Sequence, residues 1–121
     1  MIIGLGTDII EIERVRKAIT NNHFRENVFT AAEQNYCDGR GKNSAASYAA
    51  RFAAKEAFFK ALGTGIFTAL TNVEIINDTR GAPKINLRGN AKIFADKLNV
   101  QNILLSLSHS RQFATATCLL E

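Results

Sequence analysis

The 121-residue chain lacks most of the short signatures that betray a chemistry. It has no phosphate-binding loop of the G-x-x-x-x-G-K type, no G-x-G-x-x-G after a strand, and no cysteine–histidine spacing suited to zinc. Its two cysteines, Cys37 and Cys118, are isolated from each other and read as ordinary thiols in a reducing cytosol. No apolar run approaches a membrane span, and Met1-Ile2-Ile3 lacks the basic stretch that opens a signal peptide. A cytoplasmic protein with no membrane partner is therefore expected. Internal repeats and long linkers are missing too.

What remains is enough for one domain spanning residues 1–121, large enough to bury a core without disulfide or metal staples. Apolar residues make up 46% of the chain, which excludes a disordered segment. Fifteen basic against eleven acidic residues give a net charge of +4. That excess favours an anionic partner, whether nucleic acid, a phosphorylated cofactor or an acidic protein.

Along the chain, helical and strand patterns alternate. Residues 2–7 read as a buried strand, at the edge or centre of a sheet. Asp8-Ile9-Ile10-Glu11 fits a capping box, with Ile12, Val15 and Ile19 at helical spacing behind it. Thr30-Ala31-Ala32-Glu33 is a second capping box, opening a short helix that ends at Asp38-Gly39. Ser44 is a candidate cap for a long helix running through Leu62. Beyond it the period drops to two. Residues 72–76 and 84–87 read as strands joined by a turn-rich connection, Ala91 to Leu98 as a short helix, and 103–108 and 113–120 as two further strands. Helices in the first half and hairpins in the second predict an α+β fold, an antiparallel sheet packed against helices.

One stretch organises the rest, Arg51 through Gly65. It reads as an alanine- and phenylalanine-rich helix that stops at Gly63-Thr64-Gly65. At about 100° per residue, Phe52, Glu56 and Lys60 share one side, so a carboxylate and an ammonium project together from a mostly apolar helix. Such a pair can be a surface pair worth only a few tenths of a kcal/mol. Asp8 is the carboxylate in the otherwise apolar opening run, which needs a cation, donors or a cap. Cap and site roles both stay open for it. Arg14, Arg16 and Lys17 fall on the outer face of the first helix, with Arg25 shortly after, a pattern that a solvated face also produces. His109, between Ser108 and Ser110 and near Arg111, sits at a strand end, exposed and phosphate-friendly.

Together these residues carry a resemblance. Gly6-Thr7-Asp8, leading into a helix with Glu13-Arg14, is similar to the first signature of the 4′-phosphopantetheinyl transferases. Phe52-Ala53-Ala54-Lys55-Glu56-Ala57-Phe58-Phe59-Lys60, followed by Gly63-Thr64-Gly65, resembles the second, and Ser106-Leu107-Ser108-His109 the third. The short length points to the holo-(acyl carrier protein) synthase branch.

The resemblance implies attack by a serine of apo acyl carrier protein on the β-phosphate of coenzyme A. That reaction transfers 4′-phosphopantetheine, releases adenosine 3′,5′-bisphosphate and supports fatty acid biosynthesis. It implies Mg²⁺ held by Asp8 and Glu56, an ion that needs few protein ligands besides phosphate oxygens and water. Lys60 would offset charge on the leaving group, and Glu56, Lys60 and a metal-bound water are the candidate acceptors of the serine proton. Arg51, Ser108 and His109 would contact coenzyme A, and Gly63 and Gly65 would admit its nucleotide against the backbone. Arg14, Arg16, Lys17 and Arg25 would meet the acidic helix of the carrier protein. A homotrimer with active sites between subunits follows by the same analogy.

Two other classes fit parts of the sequence. A nucleic-acid module would suit the charge, but the phenylalanines fall in a helix expected to be buried. A metal-dependent phosphatase or nucleotide hydrolase would use the same carboxylates on water.

Overall fold

A computed structural model describes all of residues 1–121. Ten regular elements follow in the order β1 (Gly4–Glu11), α1 (Ile12–Ala18), α2 (Asn22–Val28), α3 (Ala31–Asp38), α4 (Ser44–Leu62), β2 (Val73–Asn77), β3 (Pro83–Leu87), α5 (Gly89–Lys97), β4 (Ile103–His109) and β5 (Phe113–Leu120). The α+β class predicted from the sequence is correct. Three strands form an antiparallel sheet in the order β1-β5-β4, and β2 and β3 form a separate antiparallel hairpin. Residues 2–7 were expected at the edge or centre of a sheet; β1 is an edge strand, and β5 is central.

The helix α4 is the axis of the molecule. Its C-terminal half packs Phe58 and Phe59 against Val73 and Ile75 of β2 and Leu120 of β5. Its N-terminal half gathers Ile12 and Val15 of α1, Phe29 and Cys37 around Tyr48. Eight of its alanines are buried, which explains a composition that looked odd for a surface helix. Small side chains let the sheet lie close on the helix. Gly4 and Gly6 extend this logic, because a Cβ at either would collide with the carbonyl of Ala61 or Ala57 respectively. Gly63 ends α4 in the left-handed conformation at φ 79°, its N–H and that of Thr64 closing back on the last turn. Gly65 also has positive φ.

Three local expectations are corrected, and one helix is added. Asp8 does not cap a helix: pairing with β5 continues through Glu11, opposite Phe113, and α1 starts only at Ile12 with no side-chain cap. Long-range ladder bonds outweighed a local capping option. Ser44 is the first residue of α4 rather than its cap, since a 3-10 turn at Gly41–Asn43 feeds straight into the helix. The segment around Arg25 forms α2, capped by the Asn21 side chain on the Phe24 N–H. The β2–β3 connection, expected over Asp78 to Pro83, ends one residue earlier because Pro83 opens β3, with Asp78 accepting from the N–H groups of Arg80 and Ala82. The capping box at Thr30 and Glu33 is present as expected.

No helix is long and apolar enough to cross a membrane. Cys37 and Cys118 are free and buried, and burial pushes each thiol up to about 12.

Candidate active site

Alternation along β1 turns Gly4, Gly6, Asp8 and Ile10 toward α4, and leaves Leu5, Thr7, Ile9 and Glu11 outward. Because Gly6 allows close approach to Ala57 and Ala61, the next inward residue, Asp8, arrives beside the helix face that carries Glu56 and Lys60. Lys60 Nζ donates to Asp8 Oδ1 at 3.0 Å. The ammonium's bonded partner is thus Asp8, 52 residues away, and not Glu56 one turn back. Asp8 is mostly covered, with 15% of its side chain exposed, while Lys60 keeps 55%.

Asp8, Glu56 and Lys60 line one depression of about 600 Å³ together with Glu11 and Arg14. Phe24, Phe52 and Phe113 supply its apolar walls. Burial raises Glu56 above the ordinary carboxylate value, the Asp8 charge raises it further, and Lys60 opposes both. Two neighbouring carboxylates beside a depression open to solvent suit a divalent cation.

The other expected residues fall elsewhere. Arg51, Ser108 and His109 line a second depression, of about 240 Å³, with Arg40 and Asn77. Gly63 and Gly65 lie beyond the end of α4, with open space where their Cβ atoms would be. The basic residues do not line one hollow. Arg14 borders the carboxylate depression, and Lys17 is exposed. Arg16 pairs with Glu13 at 2.9 Å and borders a third hollow with Lys42, His109 and Arg111. Arg25 lies 3.7 Å from Asp38, tying α2 to α3.

One residue of the central stretch had no role assigned from the sequence. Lys55, the neighbour of Glu56, is fully buried and donates to Glu33 Oε1 at 2.9 Å, Leu70 O at 2.9 Å and Val73 O at 2.8 Å. Glu33 in turn accepts from the N–H groups of Thr30 and Ile75. This pair therefore pins α3, α4 and β2 together and sets the rotation of α4 that turns Glu56 toward Asp8. The signal was present in sequence, since Phe58 and Phe59 at i+3 and i+4 predict a buried face for Lys55.

Comparison with known proteins shows the family. The family model of the 4′-phosphopantetheinyl transferase superfamily matches residues 4–118. A holo-[acyl-carrier-protein] synthase of Ruminiclostridium cellulolyticum is 50% identical, covering 93% of this chain and 87% of the relative. Among solved structures, the Bacillus anthracis holo-(acyl-carrier-protein) synthase in complex with CoA (3′,5′-ADP) is 37% identical, with a TM-score of 0.82 over 99% of this chain and 96% of that one. The Helicobacter pylori holo-[acyl-carrier-protein] synthase in complex with coenzyme A is 30% identical, with a TM-score of 0.84 over 97% and 99%. This chain belongs to the 4′-phosphopantetheinyl transferase superfamily, in its holo-[acyl-carrier-protein] synthase branch.

Proposed function

We propose that the whole chain, residues 1–121, is one transferase domain that moves 4′-phosphopantetheine from coenzyme A to a serine of apo acyl carrier protein, releases adenosine 3′,5′-bisphosphate and so serves fatty acid biosynthesis in the cytoplasm. The observation that carries this reading is the convergence of Asp8, Glu56 and Lys60 from β1 and α4 in one depression with apolar walls. Asp8 and Glu56 would hold Mg²⁺, which when bound would neutralise pyrophosphate charge. Lys60, with one hydrogen bond made and more than half of its side chain exposed, turns its remaining N–H groups to phosphate oxygens and stabilises charge on the departing nucleotide. Phe24, Phe52 and Phe113 exclude water from one side of the reacting groups. Arg14, at the rim, meets the acidic carrier, with Arg16, Lys17 and Arg25 extending the basic surface.

Arg51, Ser108 and His109 contact the nucleotide end of coenzyme A. Their placement in a different depression from Asp8 supports an active site completed by a neighbouring copy. So does the outer face of the β1-β5-β4 sheet, where Leu5, Ile9, Leu104 and Phe113 are 63%, 62%, 50% and 40% exposed. We propose a homotrimer with active sites between subunits.

The deciding experiment incubates the protein with coenzyme A, Mg²⁺ and an apo acyl carrier protein and weighs the carrier by mass spectrometry. A gain of one phosphopantetheine is expected; hydrolysis of coenzyme A with an unmodified carrier would favour the hydrolase reading. Light scattering should give three times the 13.3 kDa chain mass. Mixed trimers of Asp8→Ala and Arg51→Ala chains should recover transfer that neither variant has alone.

A further inference from the structure

Arg51 is held in an unusual way. Its side chain is inside the protein, with 4% of the residue exposed, yet none of the ion pairs in the chain includes it. A buried guanidinium ordinarily draws a carboxylate, because an unpaired charge away from water is costly. Here its companions are neutral. Arg51 Nη2 donates to Asn77 Oδ1 at 2.6 Å, and the guanidinium carbon lies 4.1 Å from the centre of the Tyr36 ring. Asn77 is fixed in turn by donating to Gly81 O at 3.2 Å. Arg51 Nε is buried with no hydrogen-bond partner. A second guanidinium, that of Arg40, lies 5.6 Å from the same Tyr36 ring. Arg40, Arg51, Ser108 and His109 line the same depression, and no carboxylate lines it.

A tyrosine face attracts a cation through its quadrupole without cancelling the charge, and an amide oxygen accepts a hydrogen bond without cancelling it either. A planar guanidinium is the cation suited to such a stack. We propose that Tyr36 and Asn77 are positioning residues, a neutral clamp that keeps the Arg51 guanidinium fixed and unneutralised for a phosphate at the nucleotide end of coenzyme A. The inference rests on the reading of Arg51 as a coenzyme A contact. The clamp fixes the guanidinium before the ligand arrives, so binding forfeits less side-chain freedom. Asn77 is the informative position: an aspartate there keeps the oxygen that accepts from Arg51 and discharges the site, while giving up the bond to Gly81 O.

The test measures coenzyme A and adenosine 3′,5′-bisphosphate binding by calorimetry, together with KM, kcat and melting temperature, on the assembled protein. Asn77→Asp is expected to stay folded and to raise Kd for both ligands about tenfold, with kcat at saturating coenzyme A retained. Tyr36→Leu should raise Kd by a similar factor, and the conservative Tyr36→Phe, which keeps the ring, should restore it. A merely structural role predicts for Asn77→Asp a lower melting temperature with unchanged affinity. If Arg51→Ala weakens binding while Asn77→Asp and Tyr36→Leu do not, the clamp is wrong and the Arg51 reading survives. If Arg51→Ala leaves both affinities unchanged, the reading of Arg51 falls and the clamp with it. Should Tyr36→Leu fail to fold, Asn77→Asp decides alone.

Discussion

Two lysines of α4 each meet a carboxylate at hydrogen-bonding distance, Lys55 with Glu33 at 2.9 Å and Lys60 with Asp8 at 3.0 Å. Their surroundings differ completely. Both members of the first pair are fully buried, and all three Lys55 donors already reach oxygens. Burial also pulls Lys55 below the ordinary lysine value, with Glu33 resisting. Lys60 makes one such bond and faces a depression that also holds Glu56. A saturated ammonium can only hold structure, whereas an unsaturated one at a pocket wall can meet a ligand. The adjacent residues Lys55 and Glu56 thus belong to different constellations, separated by one step around the helix.

The comparison can be broken most decisively at the open cluster. Asp8→Ala or Glu56→Ala is expected to lower Mg²⁺-dependent transfer by on the order of 10³-fold or more, because pyrophosphate charge is then poorly neutralised. Circular dichroism should still show a folded protein, since Asp8 caps no helix. Near-normal transfer at modest Mg²⁺ in either variant would place the metal elsewhere.

The closed pair should answer in stability instead. Lys55→Met leaves Glu33 buried and unpaired and is expected to cost about 3–5 kcal/mol in urea unfolding. Adding Glu33→Gln should recover part of that loss. If Lys55→Met kept its stability but lost coenzyme A affinity, the two lysines would belong to one site.

Next comes Lys60. Lys60→Ala should reduce kcat by about 10²-fold and change the coenzyme A KM much less, if the ammonium acts mainly on charge developing during transfer. The opposite split in steady-state kinetics would make it a binding residue. Smaller again is the rim. Arg14→Glu should raise the carrier KM by roughly tenfold at low salt and less at high salt, with coenzyme A binding unchanged in calorimetry. Arg25→Glu should do less, because Asp38 already lies 3.7 Å from that guanidinium. Equal effects would mean that the Asp38 contact does not matter in solution.

The smallest expected effect is a pH dependence of the metal-free protein. Glu56 is raised by burial and by Asp8, so the folded state binds its proton more tightly than the unfolded chain does. Stability should therefore be greatest below the ordinary glutamate value of 4.5 and fall as pH rises through the raised one. Glu56→Gln should flatten that fall in unfolding midpoints taken between pH 4.5 and neutrality.

Much of this was legible in the chain. The pattern around Arg51 through Gly65 gave a long helix ending in glycines, with Glu56 and Lys60 on one side, because helical periodicity and C-terminal glycine are local properties. The second half resolved into two hairpins with bounds within a residue or two. The charges on α1 were readable as charges but not as a surface: whether Arg16 pairs with Glu13 or Arg25 with Asp38 depends on side-chain placement.

Sequence alone determined the fold class, the composition of the central helix and the residues of the resemblance, since each rests on order and spacing within a short window. Only the tertiary structure decided which carboxylate meets which lysine. It drew β1 onward through Asp8 by pairing with β5, seated Gly6 against Ala57, and brought Asp8 to Lys60 across 52 residues. It also divided Lys55 from Glu56 and Arg51 from Asp8, because burial and the supply of hydrogen-bond partners are set by elements far apart in the chain.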